Sequence, residues 1–299
     1  MKTRIKISGI TRREARAGIV LVAPAILLFI FLRLFPTFYA FYLSFSQFNM
    51  VSVPKWVGVA NYTKMLTDSG FIVSLKNTLV YTFSNVLISA AIALGFALLL
   101  NQKSKGVGVF RSIYYIPQIT SWIALSMIWT YLLNPPFGLI NYLLNLVGLP
   151  KLAWLSSPDL AMPTIIMIAV WRNVGYDIVI YLAALQGIQP VLFEAAEIDG
   201  ANSWQKFRFI TWKMLLPTTT YILIMTGIFS LQAFDQIFQL TMGGPADATI
   251  TVVLQIYRQA FQFGQMGYAC AMAFVLFTTI FILSSISLRL SGQISDNDQ

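Results

Sequence analysis

The sequence contains no histidine and only one cysteine, Cys270. Without histidine the chain cannot build a Ser-His-Asp triad, a histidine-ligated zinc centre or a histidine proton relay. One cysteine cannot form an internal disulfide framework. Cys270 sits among Gly267, Ala269, Ala271 and Ala273 and reads as another small residue at a helix contact. Acidic residues are scarce, eleven in 299, and scattered, with no credible acid–base pair for a membrane-embedded enzyme. Charged residues make up 10% of the chain, where a soluble domain carries about 25%. No Gly-x-x-x-x-Gly-Lys-Ser/Thr segment is present to cradle phosphates, so the chain has no nucleotide site of that kind.

Apolar sequence is what it has in abundance. Hydrophobic residues reach 57%, gathered into six stretches near 17–45, 71–101, 111–133, 160–187, 217–239 and 267–290. Each is long enough for a hydrocarbon core of about 30 Å, which takes roughly 20 helical residues. The fold class expected is therefore all-α, a polytopic membrane protein with six transmembrane helices. The first stretch follows a basic leader but runs on through Phe35, Tyr39 and Phe41 with no small-residue cleavage site, so it reads as a retained helix.

The net charge of +9 is spread between the apolar runs instead of forming one basic face, which speaks against nucleic acid. Counting Lys and Arg in alternate connections gives thirteen on one side and four (Lys55, Lys64, Lys151, Arg258) on the other. The positive-inside rule then places both termini, the loop at 102–110 and the loop at 188–216 in the cytoplasm. The division expected is a basic segment 1–16, a transmembrane domain 17–290 and a tail 291–299. Arg33 and Arg172 lie deep in spans, while Lys76 can snorkel from an outer helix end. A buried cation needs a partner or a wet cavity, and Asp177 and Asp235 are the carboxylates at comparable depth for an ion pair.

The 188–216 segment is the most informative. Pro190 suits a first helical turn, and Glu194, Ala195, Ala196 and Glu197 continue the helix. Asp199-Gly200 ends it, glycine permitting a left-handed cap. Asn202 or Ser203 can cap a second helix carrying Trp204, Phe207, Ile210 and Met214 at helical spacing. The product is a cytoplasmic helix-turn-helix, most exposed around Gly200. It offers no catalytic chemistry and suits docking into a partner.

At these residues the sequence resembles the inner-membrane permeases of ABC importers, whose signature is Glu-Ala-Ala, three residues, Gly, nine residues, then Ile-x-Leu-Pro. Glu194-Ala195-Ala196, Gly200 and Ile210 hold those places, while Trp212-Lys213 stands where Leu-Pro is usual. Asn61-Tyr62, Asn77-Thr78, Phe110-Arg111, Gly138-Leu-Ile-Asn141, Thr241-Met-Gly-Gly-Pro245 and Gly267-Tyr-Ala-Cys-Ala271 narrow the likeness to carbohydrate permeases of the maltose and multiple-sugar type. The large extra external domain of some maltose permeases is missing.

The resemblance implies a second homologous permease, two ATP-binding subunits holding ATP-Mg, and an external or periplasmic sugar-binding protein. No cofactor is expected in this chain, and the setting is a bacterial or archaeal cytoplasmic membrane. Glu194, Ala195, Ala196, Asp199 and Gly200 would couple to the ATPase. Substrate-pathway positions would be Arg172, Asn173 and Tyr176 on the fourth span and Thr226, Ser230 and Ala233 on the fifth, the last three sharing a face at i, i+4 and i+7. Asp235, with Gln232, Gln236 and Gln239, makes the end of the fifth span polar, as a wet vestibule or a gate. Trp129 and Trp171 either stack on a sugar or pack in the bundle. The alternatives are a glycerol-phosphate-like or other anionic substrate, admitted by Arg172, and a secondary transporter, for which no internal repeat is visible.

Overall fold

A computed structural model describes the backbone over residues 12–101 and 107–296, and the side chains over 17–101 and 113–285. The readings made on the basic leader, on Lys103 and Lys105, on the Phe110 and Arg111 side chains, on Arg289 and on the tail after 296 lie outside what is described. The helices used below are α1 (Ala17–Ser44), α2 (Ala60–Met65), α3 (Ser69–Leu100), α4 (Val107–Ile119), α5 (Trp122–Leu132), α6 (Leu139–Leu146), α7 (Pro158–Gln186), α8 (Pro190–Ile198), α9 (Ser203–Leu231), α10 (Asp235–Leu240), α11 (Val252–Tyr257) and α12 (Met266–Asp296). The sole sheet among the described residues is a two-stranded ribbon pairing Ser46 with Trp56 and Gln47 with Lys55.

Among the described residues five helices are long and apolar enough to cross a membrane: α1, α3, α7, α9 and α12, the last through Ser285. The stretch 111–133 differs from the single span expected. It is two helices, α4 and α5, interrupted at Thr120-Ser121, where Ser121 turns extended and its hydroxyl accepts from the Ala124 amide at 3.3 Å as an N-cap. The fifth span also departs from 217–239. Helix α9 starts at Ser203, runs through a π-turn at Phe207–Thr211 and past Pro217, stops at Leu231, and the chain restarts helically at Asp235.

The core is the packing of α3, α7 and α9 on one another, with α4 laid against α7. Lipid offers no hydrophobic drive between helices, so close approach relies on small residues. The buried face of α3 accordingly carries Ser74, Thr78, Ser89, Ala90, Ala93 and Ala97. Gly175 of α7 lets the Tyr114 carbonyl of α4 come so near that any Cβ there would collide with it. Gly267 does the same for the Ser46 carbonyl at the head of α12, and Cys270 lies one turn further on, half-buried. Around these contacts Tyr81, Ile165, Ile168, Ile178, Tyr181, Leu215 and Ile222 fill the interior.

Helix α1 is different: its membrane-length window is 0% buried against the rest of the chain. Arg33 sits exposed in its π-turn, and Lys76 is exposed on α3.

The connection between α9 and α11 is tightly organised. Met242, Gly243, Ala246 and Asp247 all take positive φ. Arg258 donates to the Asp247 carboxylate and to the Met242 carbonyl, both at 2.6 Å, and Asn77 of α3 donates to the Asp247 carbonyl at 2.9 Å. Thr78 accepts from the Val252 amide at 2.9 Å. The Asn77-Thr78 pair thus ties this connection to α3, which bare sequence spacing could not show.

Candidate substrate cavity and coupling turn

A cavity of about 530 Å³ opens between α3, α7, α9 and the two helix breaks. All seven positions expected in the substrate pathway, Arg172, Asn173, Tyr176, Thr226, Ser230, Ala233 and Asp235, line it together. Their placement corrects one part of the reading. Thr226 and Ser230 share a face of α9, but Ala233 is not on that helix. It lies in the break between Leu231 and Asp235, held there because the Thr251 hydroxyl donates to its carbonyl at 2.9 Å. Asp235 opens the short helix beyond and is exposed, whereas Thr226, Ser230 and Ala233 are buried.

Other residues complete the wall: Tyr81, Asn85, Gln118, Trp122, Asp177 and Gln236. Asn85 is the hub. Its amide nitrogen donates to Ser230 at 2.8 Å, and its oxygen accepts from Ser89 at 3.3 Å and from Asn173 at 3.5 Å. Gln236 donates to the Tyr81 hydroxyl at 2.9 Å. The signal for Asn85 was available, since an amide in the middle of an apolar span needs a partner across helices. Gln118 and Trp122 carried none, because their place at the wall depends on the α4–α5 break.

Arg172 makes neither of the ion pairs considered from sequence. Among the described residues the two salt bridges are Glu197–Lys206 and Asp247–Arg258. One terminal nitrogen of Arg172 donates to the carbonyls of Gln118 at 3.0 Å and Thr120 at 3.4 Å, and the guanidinium lies over the Trp122 ring at 4.5 Å. The physical reason is the break itself. Interrupting a helix within a bilayer strands backbone carbonyls, and a planar group with five donors is the side chain best able to satisfy several of them. Trp129 and Trp171 meet edge-on at 5.4 Å; neither lines the cavity, and Trp171 faces an apolar groove on the outside of the bundle.

At the other end of α7 the chain forms the helix-turn-helix. Gly200 has φ +74°, and the Ala201 amide reaches back to the Ala196 carbonyl at 2.8 Å, closing α8. Asn202 and Gln205 form a reciprocal capping box at the start of α9. Glu194, Ala195, Asp199 and Gly200 are exposed, Ala196 half-buried, and Ile198 at the tip is 87% exposed. Lys206 of α9 pairs with Glu197 of α8 at 2.8 Å and holds that carboxyl below its ordinary range. Of the stripe Trp204, Phe207, Ile210 and Met214, the first and last are exposed and Phe207 and Ile210 are half-buried. Because α9 is continuous through this region, Trp212-Lys213 in place of Leu-Pro leaves the join helical.

Membrane-length helices enclosing a polar cavity, joined to an exposed helix-turn-helix, define a polytopic membrane protein built as a transport subunit. The chain belongs to the family described as the binding-protein-dependent transport system inner membrane component, which matches residues 87–295. It is 34% identical over 283 residues to the arabinooligosaccharides transport system permease protein AraP of Halalkalibacterium halodurans, covering 94% of this chain and 89% of that one. It is 31% identical over 284 residues to the trehalose/maltose transport system permease protein MalF of Thermococcus litoralis, covering 94% and 96%. Its fold matches a chain in the crystal structure of a bacterial ABC transporter importing the acidic polysaccharide alginate. That match has a TM-score of 0.84 at 24% identity and covers 94% of this chain and 97% of the other.

Proposed function

We propose that this chain is one permease subunit of an ATP-driven, binding-protein-dependent importer of sugars or oligosaccharides. The observation that carries the reading is the cavity. Amides and hydroxyls from three helices (Asn85, Asn173, Tyr176, Thr226, Ser230) converge on one space between helices, in a family member whose relatives are named for arabinooligosaccharide and trehalose/maltose transport. Such groups match a polyhydroxyl ligand, with aromatic surface available for its C–H faces. The anionic alternative rests on Arg172, one of whose terminal nitrogens is taken up by backbone carbonyls and whose plane lies on a tryptophan face, while its Nε is buried with no partner among the described residues.

In this reading α4 and α5 together make the sixth crossing, and both termini and the 188–216 loop face the cytoplasm. A homologous permease supplies the other half of the pathway, and the exposed face of α1 is available to it or to lipid. Two ATPase subunits carrying ATP-Mg dock at the turn formed by Glu194, Ala195, Ala196, Asp199 and Gly200. A sugar-binding protein delivers substrate from outside. Closure of the ATPases displaces the turn and rocks the helices around the cavity, giving alternating access.

The test is reconstitution of the full complex in liposomes. ATP hydrolysis should be stimulated by sugar-loaded binding protein and accompanied by sugar uptake. Robust ATPase activity from this chain alone, or a complex indifferent to every neutral and acidic oligosaccharide offered, would overturn it.

A further inference from the structure

Asp177 stands out among the cavity residues because no cation among the described residues pairs with its carboxyl. It is 1% exposed, lines the cavity, and its Oδ2 is buried with no hydrogen-bond partner among the described residues. No salt bridge reaches it: the one cation of the cavity wall, Arg172, is turned to Gln118, Thr120 and Trp122 instead. Burying a carboxyl without a partner costs stability, and a packing role at this site would be served as well by Asn or Leu. Residues that cost stability and offer nothing to the fold are characteristic of binding sites.

Its position supplies the role. Asp177 follows Tyr176 directly and stands at i+4 from Asn173, so Asn173 and Asp177 present one face of α7 to the cavity. Thr226 and Ser230 line the same space from α9. We propose that the Asp177 carboxyl is a substrate contact that accepts a hydrogen bond from a hydroxyl of a neutral sugar. The neutral class follows from the charges at the wall. An acidic sugar would set its own carboxylate beside two others, Asp177 and Asp235, against the single cation among the described residues of the wall, Arg172, one of whose terminal nitrogens already donates to backbone carbonyls. This inference rests on the reading of the chain as a sugar permease and adds to it a residue and a substrate class.

The experiment uses the assembled complex with its binding protein, a radiolabelled neutral pentose or hexose oligosaccharide, and the variants Asp177→Asn and Asp177→Leu. Asp177→Asn keeps the volume while replacing an acceptor oxygen with a donor. Uptake should fall roughly 10- to 100-fold in each, the scale of one hydrogen bond to a charged group. The melting temperature of the complex should stay level or rise, because an uncompensated buried group has been removed. A lower melting temperature in both variants, as expected if a partner subunit's cation pairs with Asp177, overturns the proposal. So does uptake equal to wild type. A wild-type complex that imports no sugar at all overturns the sugar reading together with this inference, whereas normal wild-type import with indifferent variants overturns the inference alone.

Discussion

Asn85 of α3 and Ser230 of α9 are joined by a 2.8 Å hydrogen bond across the wall of the cavity, with the amide donating. Through the same side chain Asn173 of α7 is linked as well, so one residue holds together the three helices that define the site. Because the Ser230 oxygen is the acceptor in this bond, its own proton is directed elsewhere.

Replacing Asn85 by Ala should therefore loosen the cavity without unfolding the bundle. The expected cost is about 1 kcal/mol, typical of a hydrogen bond between membrane helices. It should be visible as a lower melting temperature of the assembled complex and reduced uptake. Ser230→Leu and Tyr176→Ala should instead cut uptake strongly while assembly and the sugar affinity of the external binding protein stay normal. Direct detection of sugar in the permease by photo-crosslinking decides between these residues as contacts and as packing.

Arg172 should behave as a structural staple. Lysine retains the charge but lacks the planar fork and the stacking surface. Arg172→Lys should then destabilise the complex almost as much as Arg172→Met, by about 1–3 kcal/mol for stranded buried groups. Thermal melting of the purified complex measures this. A lysine variant with wild-type melting and transport would mean that the positive charge alone is used.

At the turn, Gly200 has open space around it but a backbone in the left-handed region. Gly200→Val should abolish coupling, since β-branched residues resist that conformation. Gly200→Asn should retain most activity, because asparagine tolerates it. Ile198→Asp should reduce co-purification of the ATPase by placing a charge on the exposed apolar tip of the turn proposed to dock there. Pull-down of the ATPase and transport assays on the same membranes report both effects.

The Glu197–Lys206 pair makes a prediction in pH. The folded-state pKa of Glu197 is lowered, chiefly by its hydrogen bond from Lys206. Whatever the pair contributes is present above the ordinary carboxylate pKa and is lost as pH falls through the lowered folded value. Transport between about pH 5 and 8 should not respond to this group, given an ordinary Glu pKa of about 4.3. The double variant Glu197→Lys with Lys206→Glu should recover whatever either single reversal loses, measured as protease resistance of the turn.

Apolar run length located five of the membrane-length helices, and spacing located the turn, because Pro190, Gly200 and Asn202 act through local backbone chemistry that a sequence displays directly. The two helix breaks were not legible. Neither Thr120-Ser121 nor Gln232-Ala233-Phe234 contains glycine or proline, and both interruptions are held by distant groups, Arg172 in one case and Thr251 in the other. The same dependence explains the misreading of Arg172. Its partners are backbone carbonyls exposed only once α4 and α5 separate, whereas the sequence displays side chains alone, Asp177 and Asp235 among them. The convergence of Tyr81, Asn85 and Gln236 is likewise a product of packing between residues far apart in the chain.

Helix α9 has a mechanical consequence. From Ser203, beside the turn, to Leu231, beyond Ser230, it stays helical for 29 residues through the π-turn at Phe207–Thr211 and past Pro217, about 43 Å at 1.5 Å per residue. A tilt of about 5° pivoting at one end of a rod of that length swings the other by roughly 4 Å. That is enough to exchange one hydrogen-bonding partner for another at Thr226 and Ser230. Under the proposed function, leverage of this kind would carry work from turn to cavity without any relay of side chains, and stiffness along Ser203–Leu231 would become a property on which throughput depends.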